Sequence, residues 1–407
     1  MSTIEEKFAK LGTDYAPGQE LRQGAGIAHA AFQGEALPGL PVDFSHGDVN
    51  DDAFAPAPVA LEAFIEGVHR GGAQAYTEYR GDAGLRNDLA QKLAAFTGKP
   101  VSGATELMIT PGTQGALFLA IASTVTAGDK VAIVRPDYFA NRKLVEFLGA
   151  MAVPVQLDYL AHTGRAGLDL GQLEDAFRAG VKTFLFSNPN NPTGVVYSRD
   201  EIEGIATLAN RYGATLIVDQ LYSRLLYPGC AYTHLRDSGI DANHVMTIMG
   251  PSKTESLSGY RLGVAFGASR LIDRMEKLQA IVSLRAPGYC QSVLRGWFDE
   301  PAGWMQERMV RHQAIRDDLL HVLAGVPGLS ARTPEAGSYL FPRLPAMDIP
   351  LHTFVLALRQ QAGITVTPGT EFSPEATDSI RLNFSQNRQN AVRAVERAVQ
   401  LIERYRA

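Results

Sequence analysis

The sequence predicts an α/β protein with a doubly wound, mainly parallel sheet and a second, smaller α+β domain. From about Glu106, short β-rich runs alternate with longer segments of helical spacing, which is typical of βαβ units. Most of the short runs are almost continuously apolar, as expected of strands that helices cover on both faces. After about Gly288 the pattern changes to a long amphipathic segment and a turn-rich stretch, which indicates the second domain.

Seven candidate strands form one broad sheet in this prediction. They are Leu107–Thr110, Lys130–Val134, Ala152–Leu157, Thr183–Ser187, Thr215–Asp219, Val245–Met249 and Leu262–Phe266. The segments between them, such as Arg199–Tyr212, carry helical spacing. The longest apolar run, Gly115 to Val125, is about half of the roughly 20 residues that a membrane span needs, so it predicts a buried helix and no membrane association.

The chain divides into three parts in this reading. Residues 1–45 have weak periodicity and several glycines, so we expect an arm that packs elsewhere or belongs to the small domain. Residues 46–288 contain the seven strands and form the large domain. Residues 289–407 form the small C-terminal domain, with an amphipathic pattern from Trp304 to Leu323.

Composition excludes several classes of protein. The 407 residues include 38 Lys and Arg against 43 Asp and Glu, so the chain lacks the basic excess that nucleic-acid binding requires. Cys230 and Cys290 are too few for a disulfide framework or a cysteine-based metal site, and no metal is expected. The polar, acidic start from Met1 to Lys10 resembles neither a secretory signal nor a transit peptide, which favours a cytoplasmic location.

Ligands of open α/β sheets bind at the carboxyl ends of the strands, so the residues that follow each strand are the candidates for a site. Gly112, Thr113 and Gln114 follow the first strand and begin a helix, where backbone N–H groups and a hydroxyl are offered to a phosphate. An ordinary helix cap is the alternative. Asp219 ends an apolar strand, where a carboxylate is either solvated or paired with a cation.

Lys253 lies just after the strand Val245–Met249, between small residues. Such a lysine is a candidate Schiff-base amine, because desolvation and nearby cations free its lone pair; a solvated loop lysine is the alternative. Arg261 follows eight residues later and leads into the next strand, so its guanidinium could return to an anionic group near the lysine.

Four motifs in order resemble the class I/II aminotransferases, the fold type I enzymes that use pyridoxal 5′-phosphate (PLP). The motifs are NPNNPTG (188–194), IVDQLY (217–222), GPSKTESLSGYRLG (250–263) and SIRLNFS (379–385). The resemblance extends from about Asp43 to Tyr405, and the order and spacing of the motifs are far more specific than any one of them.

The resemblance implies a role for each matching residue toward the cofactor. Lys253 would hold PLP as the internal aldimine and then carry the proton between the amino acid Cα and the cofactor. Asp219 would keep the pyridine nitrogen protonated, and Asn191 and Tyr222 would bond the phenolic oxygen. Tyr138 matches the aromatic residue that stacks on the ring. The phosphate would be held by Gly112, Thr113, Gln114, Ser252 and Arg261.

Further residues match positions that bind the substrate or the second subunit. Arg381 matches the arginine that binds the α-carboxylate as a bidentate pair, and Asn191 and Gly47 would also face the substrate. A surface arginine on an edge strand is the alternative for Arg381. Tyr76 matches a tyrosine that reaches the phosphate of the neighbouring subunit, with Tyr79 as a close competitor. That role implies a homodimer with shared active sites.

Two positions depart from the family pattern. Gly250 replaces a serine that usually contacts the phosphate, and Gln220 replaces a glutamate after Asp219. Neither change removes a group that transamination needs, but both could mark a subfamily with a different substrate.

The expected function is transfer of an amino group between an α-amino acid and a 2-oxo acid. A PLP-dependent lyase, cyclase or oxidase is the alternative, because the same carbanion can react in other ways. A transcription regulator that carries a fold type I domain is a third class. It is disfavoured because only about 45 residues precede the matching region, without a helix-turn-helix pattern.

Overall fold

A computed structural model describes residues 3–12, 16, 18, 32–47 and 54–407. The helices are α1 (Ile4–Ala9), α2 (Pro58–His69), α3 (Gly72–Ala75), α4 (Ala83–Thr97), α5 (Gly112–Thr124), α6 (Phe139–Phe147), α7 (Leu170–Arg178), α8 (Arg199–Tyr212), α9 (Ser269–Val282), α10 (Gly288–Gln291), α11 (Trp304–Ala324), α12 (Leu351–Ala362) and α13 (Arg388–Tyr405). The strands are β1 (Val42–Asp43), β2 (Leu107–Pro111), β3 (Lys130–Arg135), β4 (Met151–Gln156), β5 (Thr183–Ser187), β6 (Thr215–Asp219), β7 (Val245–Met249), β8 (Leu262–Gly267), β9 (Tyr339–Leu340), β10 (Ile364–Thr365), β11 (Thr367–Pro368) and β12 (Ile380–Asn383).

The seven predicted strands form one sheet in the order β2-β8-β7-β6-β5-β3-β4. Strand β8 runs antiparallel to both neighbours, and the remaining pairs are parallel. This confirms the predicted α/β class. The strand predicted at Ala152–Leu157 starts and ends one residue earlier, and β2, β3 and β8 extend one residue beyond their predicted ends.

Helices cover the sheet on both faces, which explains why its central strands are almost wholly apolar. Leu117 of α5 and Met275 of α9 belong to the core on one face. Leu173 of α7 and Ile205 of α8 belong to the core on the other. Burial of these side chains therefore holds the helices against the two faces of the sheet.

A second core joins residues from near both ends of the chain. Strand β1 pairs in parallel with β10, and β11-β12-β9 form a three-stranded antiparallel sheet. Helices α11, α12 and α13 pack on these strands around Phe44, Phe354, Leu382 and Leu401. Of the predicted N-terminal arm, residues 32–45 pack on this core, and most of residues 13–31 lie outside the described part of the chain.

The boundary between the two units is best drawn later than the predicted residue 288. Val293, Leu294 and Trp297 pack against β2 and β8 in the core of the large unit. We therefore propose that the large unit extends to about residue 300.

In the described part of the chain, no helix is long and apolar enough to span a membrane. The same residues contain no group of three or more His, Cys, Asp or Glu side chains that could hold a metal ion. The cytoplasmic location stays a prediction.

Candidate active site

A cavity of about 260 Å³ lies at the carboxyl edge of the large sheet and is closed on one side by β9 and β12 of the second unit. We call it the central cavity. Most of the predicted site residues line it: Thr113, Gln114, Tyr138, Asn191, Asp219, Tyr222, Ser252, Lys253, Arg261 and Arg381. The structure thus brings together side chains that are up to 268 positions apart in the sequence, as the strand-end argument predicts.

One end of the central cavity is shaped for an anion. Its wall includes Thr113 and Gln114 of the first turn of α5, together with Ser252 and Arg261. The predicted Gly112 begins α5 and does not itself line the cavity; we call these five residues the anion pocket. Gly112 has φ +74°, and a Cβ there would lie 2.5 Å from Nη2 of Arg261. Glycine therefore lets the guanidinium approach the start of α5, where the helix dipole favours negative charge.

Arg261 has an unusual backbone conformation that helps to place it. Its φ is +54°, in the left-handed region that non-glycine residues rarely adopt. Its Nη1 donates to the Ser258 carbonyl at 3.0 Å, so the fork is held at the pocket before any ligand binds. Backbone strain of this kind is common at functional sites.

The departure at Gly250 has a steric explanation in the same pocket. A Cβ at Gly250 would lie 2.7 Å from the Cγ2 methyl of Thr113. The serine that is usual in the family therefore cannot be accommodated beside this threonine unless one of them moves. The Thr113 side chain occupies the space that such a serine would use.

Asp219 presents a carboxylate that has no cationic partner among the described residues. It lies at the end of β6 and accepts a hydrogen bond from the Leu221 N–H at 3.0 Å. Burial of the carboxyl raises its pKa from 3.8 to about 6, and the Leu221 bond only partly opposes this effect. A buried carboxylate that lacks a counter-ion is well suited to pair with a cationic ligand.

Arg381 is aimed at the cavity from β12 and is only 5% exposed. Its Nη1 donates to Oδ1 of Asn191 at 3.0 Å, and its Nη2 donates to the Ser45 carbonyl at 2.9 Å. Its Nε is buried without a partner in the described part of the chain.

Known protein families and solved structures that resemble this chain agree with this geometry. The family model described as "Aminotransferase class I and II" matches residues 41–397. The chain belongs to the class I and II aminotransferases. A solved structure of an aspartate aminotransferase from Rhodobacter sphaeroides 2.4.1 is 65% identical and superposes with a TM-score of 0.95, with complete coverage of both chains.

More distant relatives share the family. An aspartate aminotransferase from Sulfurisphaera tokodaii is 26% identical over 81% of this chain and 84% of its own. An aspartate/prephenate aminotransferase from Thermus thermophilus is 28% identical over 83% and 87%. Together with the 65% identical structure, these relatives support the predicted function: the protein is an aminotransferase.

Asp137 and Ser187 hold Asn191 in place, and the sequence analysis did not identify either residue. The buried Asp137 accepts hydrogen bonds from the N–H and the hydroxyl of Ser187. The Ser187 hydroxyl in turn accepts from the Asn191 N–H at 3.1 Å. Burial raises the pKa of Asp137 from 3.8 to about 7, despite the Ser187 bonds that lower it. The signal was present, since Asp137 follows β3 as Asp219 ends β6.

Lys253 connects the central cavity with a smaller one. The smaller cavity, here called the side compartment, has a volume of about 220 Å³ and is also lined by Gly47 and His46. The predicted Gly47 therefore lies beside Lys253, although it does not border the central cavity. A Cβ at Gly47 would lie 3.1 Å from Cβ of Ser385, so the chain passes close to the loop after β12.

Tyr76 borders neither cavity in the described chain. It is 84% exposed, and the guanidinium of Arg285 lies 5.2 Å from its ring centroid. The competing Tyr79 is 40% exposed and lies 5.3 Å from the same guanidinium. A single chain therefore does not distinguish the two tyrosines.

Tyr339 is a third residue of the site that the sequence did not reveal. It lies in the two-residue strand β9, lines the central cavity and bonds the Tyr222 hydroxyl. Strand β9 lies in a turn-rich segment without periodicity, so no local signal identifies it.

Proposed function

We propose that this aminotransferase binds PLP in the central cavity and uses Lys253 as its covalent and proton-transferring amine. The observation that carries this proposal is the convergence in one cavity of an anion pocket, a carboxylate that pairs with no cation among the described residues, a lysine and an arginine. These groups fit a phosphate, a protonated ring nitrogen, an aldehyde and a substrate carboxylate, in that order. When bound, the cofactor supplies a carbonyl carbon that takes up the amino group and a ring that accepts electrons.

The anion pocket would hold the phosphate. Among the described residues, no side chain caps the start of α5, and the hydroxyls of Thr113 and Ser252 line the same wall. Arg261 adds a fixed cationic fork beside Gly112. Binding in this pocket leaves the charge of the phosphate neutralised without a metal ion, and it fixes the ring against the sheet edge.

Asp219 would hold a proton on the ring nitrogen, because an unpaired buried carboxylate strongly favours a cation beside it. Tyr138 would cover one face of the ring, and Gln114 restrains Tyr138 by accepting a hydrogen bond from its hydroxyl at 3.0 Å. Asn191 and Tyr222 would donate to the phenolic oxygen. This set orients the ring and excludes water from one of its faces.

Arg381 and Lys253 would act on the substrate. Arg381 would bind the α-carboxylate, with Asn191 and the Ser45 carbonyl holding two of its nitrogens in place. The substrate Cα is then fixed beside the Lys253 amine, which takes the Cα proton and returns it to the carbon that received the amino group. The proton that Lys253 would take from Cα is delivered again in the same half-reaction, so this transfer leaves no net proton on the amine.

We further propose that aspartate is an amino donor and that the acceptor is a 2-oxo acid. This proposal rests on the relative that is 65% identical over the complete chain and is named an aspartate aminotransferase. Enzyme loaded with the cofactor should convert it to the amine form when mixed with aspartate, and more slowly with alanine or phenylalanine. Equal rates would contradict the substrate proposal. Release of ammonia without the amine form would instead indicate a lyase or oxidase.

A homodimer is the proposed assembly. Large apolar side chains are exposed along α2 and around the end of α9: Leu61, Ile65, Val68, Ile281, Val282 and Leu284. Tyr76 and Tyr79 lie at the same surface, near α10, which packs on α2 and α3. A second copy that covers this surface would remove the apolar area from water, and Tyr76 would reach the phosphate of that copy.

The tyrosine pair offers a matched test of this assembly. Light scattering should give twice the chain mass of 44.0 kDa. Tyr76→Phe should weaken cofactor binding roughly tenfold, which is the effect of one hydrogen bond to a charged group, whereas Tyr79→Phe should not. A larger loss in the Tyr79 variant would assign the role to that residue, and a monomeric mass would refute the shared site.

A further inference from the structure

Tyr339 makes contacts with two different parts of the active site. Its hydroxyl is hydrogen-bonded to the hydroxyl of Tyr222, and the two rings meet edge to face with centroids 5.3 Å apart. The guanidinium carbon of Arg381 lies 4.3 Å from the centroid of the Tyr339 ring. The residue is 3% exposed, so neither contact is screened by bulk water.

These contacts differ from those of other buried tyrosines. Tyr159 and Tyr227 donate their hydroxyls to backbone carbonyls, at Phe341 and Gly337, which is the common way to satisfy a buried phenol. Tyr339 instead bonds a side chain that lines the cavity, and its ring supports a cation that lines the cavity. Tyr227 also has a guanidinium over its ring, that of Arg316 at 4.3 Å, so what sets Tyr339 apart is that both of its partners line the central cavity.

The hydroxyl pair can be bonded in either direction in the protein without a ligand. Each phenol has one proton, so Tyr222 cannot donate to a ligand and to Tyr339 at the same time. When Tyr222 donates to a ligand, the bond between the two hydroxyls therefore requires Tyr339 as the donor. Arg381 and Lys253 oppose the effect of burial and lower the pKa of Tyr339, which makes its hydroxyl a suitable donor.

We propose that Tyr339 is a positioning residue that sets both the direction of the Tyr222 hydroxyl and the orientation of the Arg381 guanidinium. This inference rests on the proposed function, in which Tyr222 donates to the phenolic oxygen of the cofactor and Arg381 binds the substrate carboxylate. The hydroxyl of Tyr339 acts through Tyr222, and its ring acts through Arg381. The two actions are separable by substitution.

The first test concerns the hydroxyl. In enzyme loaded with PLP but without substrate, absorbance of the cofactor on Lys253 is titrated against pH for the wild type, Tyr339→Phe and the control Tyr159→Phe. Loss of the Tyr339 donor weakens the Tyr222 bond to the cofactor, so the apparent pKa should rise by roughly half to one pH unit in Tyr339→Phe. The control should not shift. An unchanged pKa in Tyr339→Phe would overturn the role of the hydroxyl.

A double substitution shows whether the effect passes through Tyr222. If it does, Tyr339→Phe should produce no further shift in a Tyr222→Phe background. Additive pKa shifts would show that Tyr339 acts on the cofactor directly or by long-range electrostatics rather than through Tyr222. That result would overturn the proposed positioning.

The second test concerns the ring. Binding of succinate, a dicarboxylate that cannot react, is measured for Tyr339→Phe and Tyr339→Leu. The phenylalanine variant should bind succinate within about twofold of the wild type, because the ring beneath Arg381 remains. The leucine variant should bind at least fivefold more weakly. Equal binding by both variants would overturn the role of the ring. If the leucine variant does not fold, Tyr339→Trp, which retains an aromatic face, should keep binding within about fivefold.

Failure of the proposed function is distinguishable from failure of this inference. If the wild type binds no PLP, the function is wrong, and the inference is then judged on the cofactor-free protein. In that protein, the ring contact with Arg381 should still affect binding of succinate, which Tyr339→Leu should weaken at least fivefold and Tyr339→Phe should leave within about twofold of the wild type. Equal binding by the two variants would overturn the inference by itself.

Discussion

Replacement of Asp219 by asparagine should stabilise the cofactor-free protein while it damages the enzyme. The carboxyl has a folded-state pKa of about 6 against an ordinary value of 3.8. At roughly 1.4 kcal/mol for each pH unit, ionised Asp219 costs up to about 3 kcal/mol of folding stability. Asparagine has the same shape, carries no charge and can still accept the Leu221 N–H.

The direction of the pH dependence follows from the linkage between proton binding and folding. Because the folded-state pKa is raised, the contribution of Asp219 to stability is complete below pH 3.8 and is lost as the pH rises through about 6. The advantage of Asp219→Asn should therefore be about half as large at pH 5 as at pH 8. For a chain of 407 residues, an effect of about 3 kcal/mol corresponds to a rise in Tm of roughly 3 to 4 °C.

The assay is thermal unfolding of the cofactor-free protein at pH 5 and pH 8, with the exposed Asp348→Asn as the control. The control should show no difference that depends on pH. In the PLP-loaded proteins, the wild type should unfold at the higher temperature, because only the wild type pairs a carboxylate with the protonated ring. PLP should bind roughly 10- to 100-fold more weakly to Asp219→Asn than to the wild type. A cofactor-free variant that is less stable than the wild type at pH 8 would refute the reasoning.

Three further substitutions test the surroundings of the site. Gly112→Ala places a methyl group against Arg261 at a positive φ, so cofactor titration should show at least tenfold weaker binding without loss of the fold; unchanged binding would contradict the anion pocket. Gly250→Ser should also weaken cofactor binding, because the new side chain meets the Thr113 methyl group. A second change, Thr113→Ser, removes that methyl group and should restore binding. If Gly250→Ser alone binds the cofactor more tightly than the wild type, the steric explanation is wrong. Ser187→Ala should lower the free energy of unfolding in urea by about 1 to 3 kcal/mol, because two buried hydrogen bonds lose the hydroxyl that they share. An unchanged urea midpoint would show that the Ser187 hydroxyl is not needed for stability.

The sequence was sufficient for the large sheet because its strands are buried on both faces. Continuous apolar runs such as Thr183–Ser187 and Val245–Met249 strongly favour buried strands, and the bounds of these strands in the structure equal the predicted bounds. The polar residues at the strand ends then converge on one edge by topology alone. This is why Asp219, Lys253 and Arg261 could be placed in one cavity without coordinates.

Contacts that depend on long-range packing could not be read in this way. Tyr339 meets Tyr222 across 117 positions, from a strand of only two residues. Trp297, beyond the predicted boundary at residue 288, packs in the core that contains β2 and β8, and amphipathic spacing does not tell which core a segment joins. Tyr76 depends on a second copy of the chain, which no pattern within one sequence supplies.

The central claim is that Lys253 is the amine that holds the cofactor in the central cavity. Reduction of the PLP-loaded enzyme with borohydride, followed by mass mapping of its peptides, tests this claim most directly. We expect the cofactor on the peptide that contains Lys253 and none retained by Lys253→Ala. A label on a different lysine, or trapping that persists in Lys253→Ala, would contradict the claim.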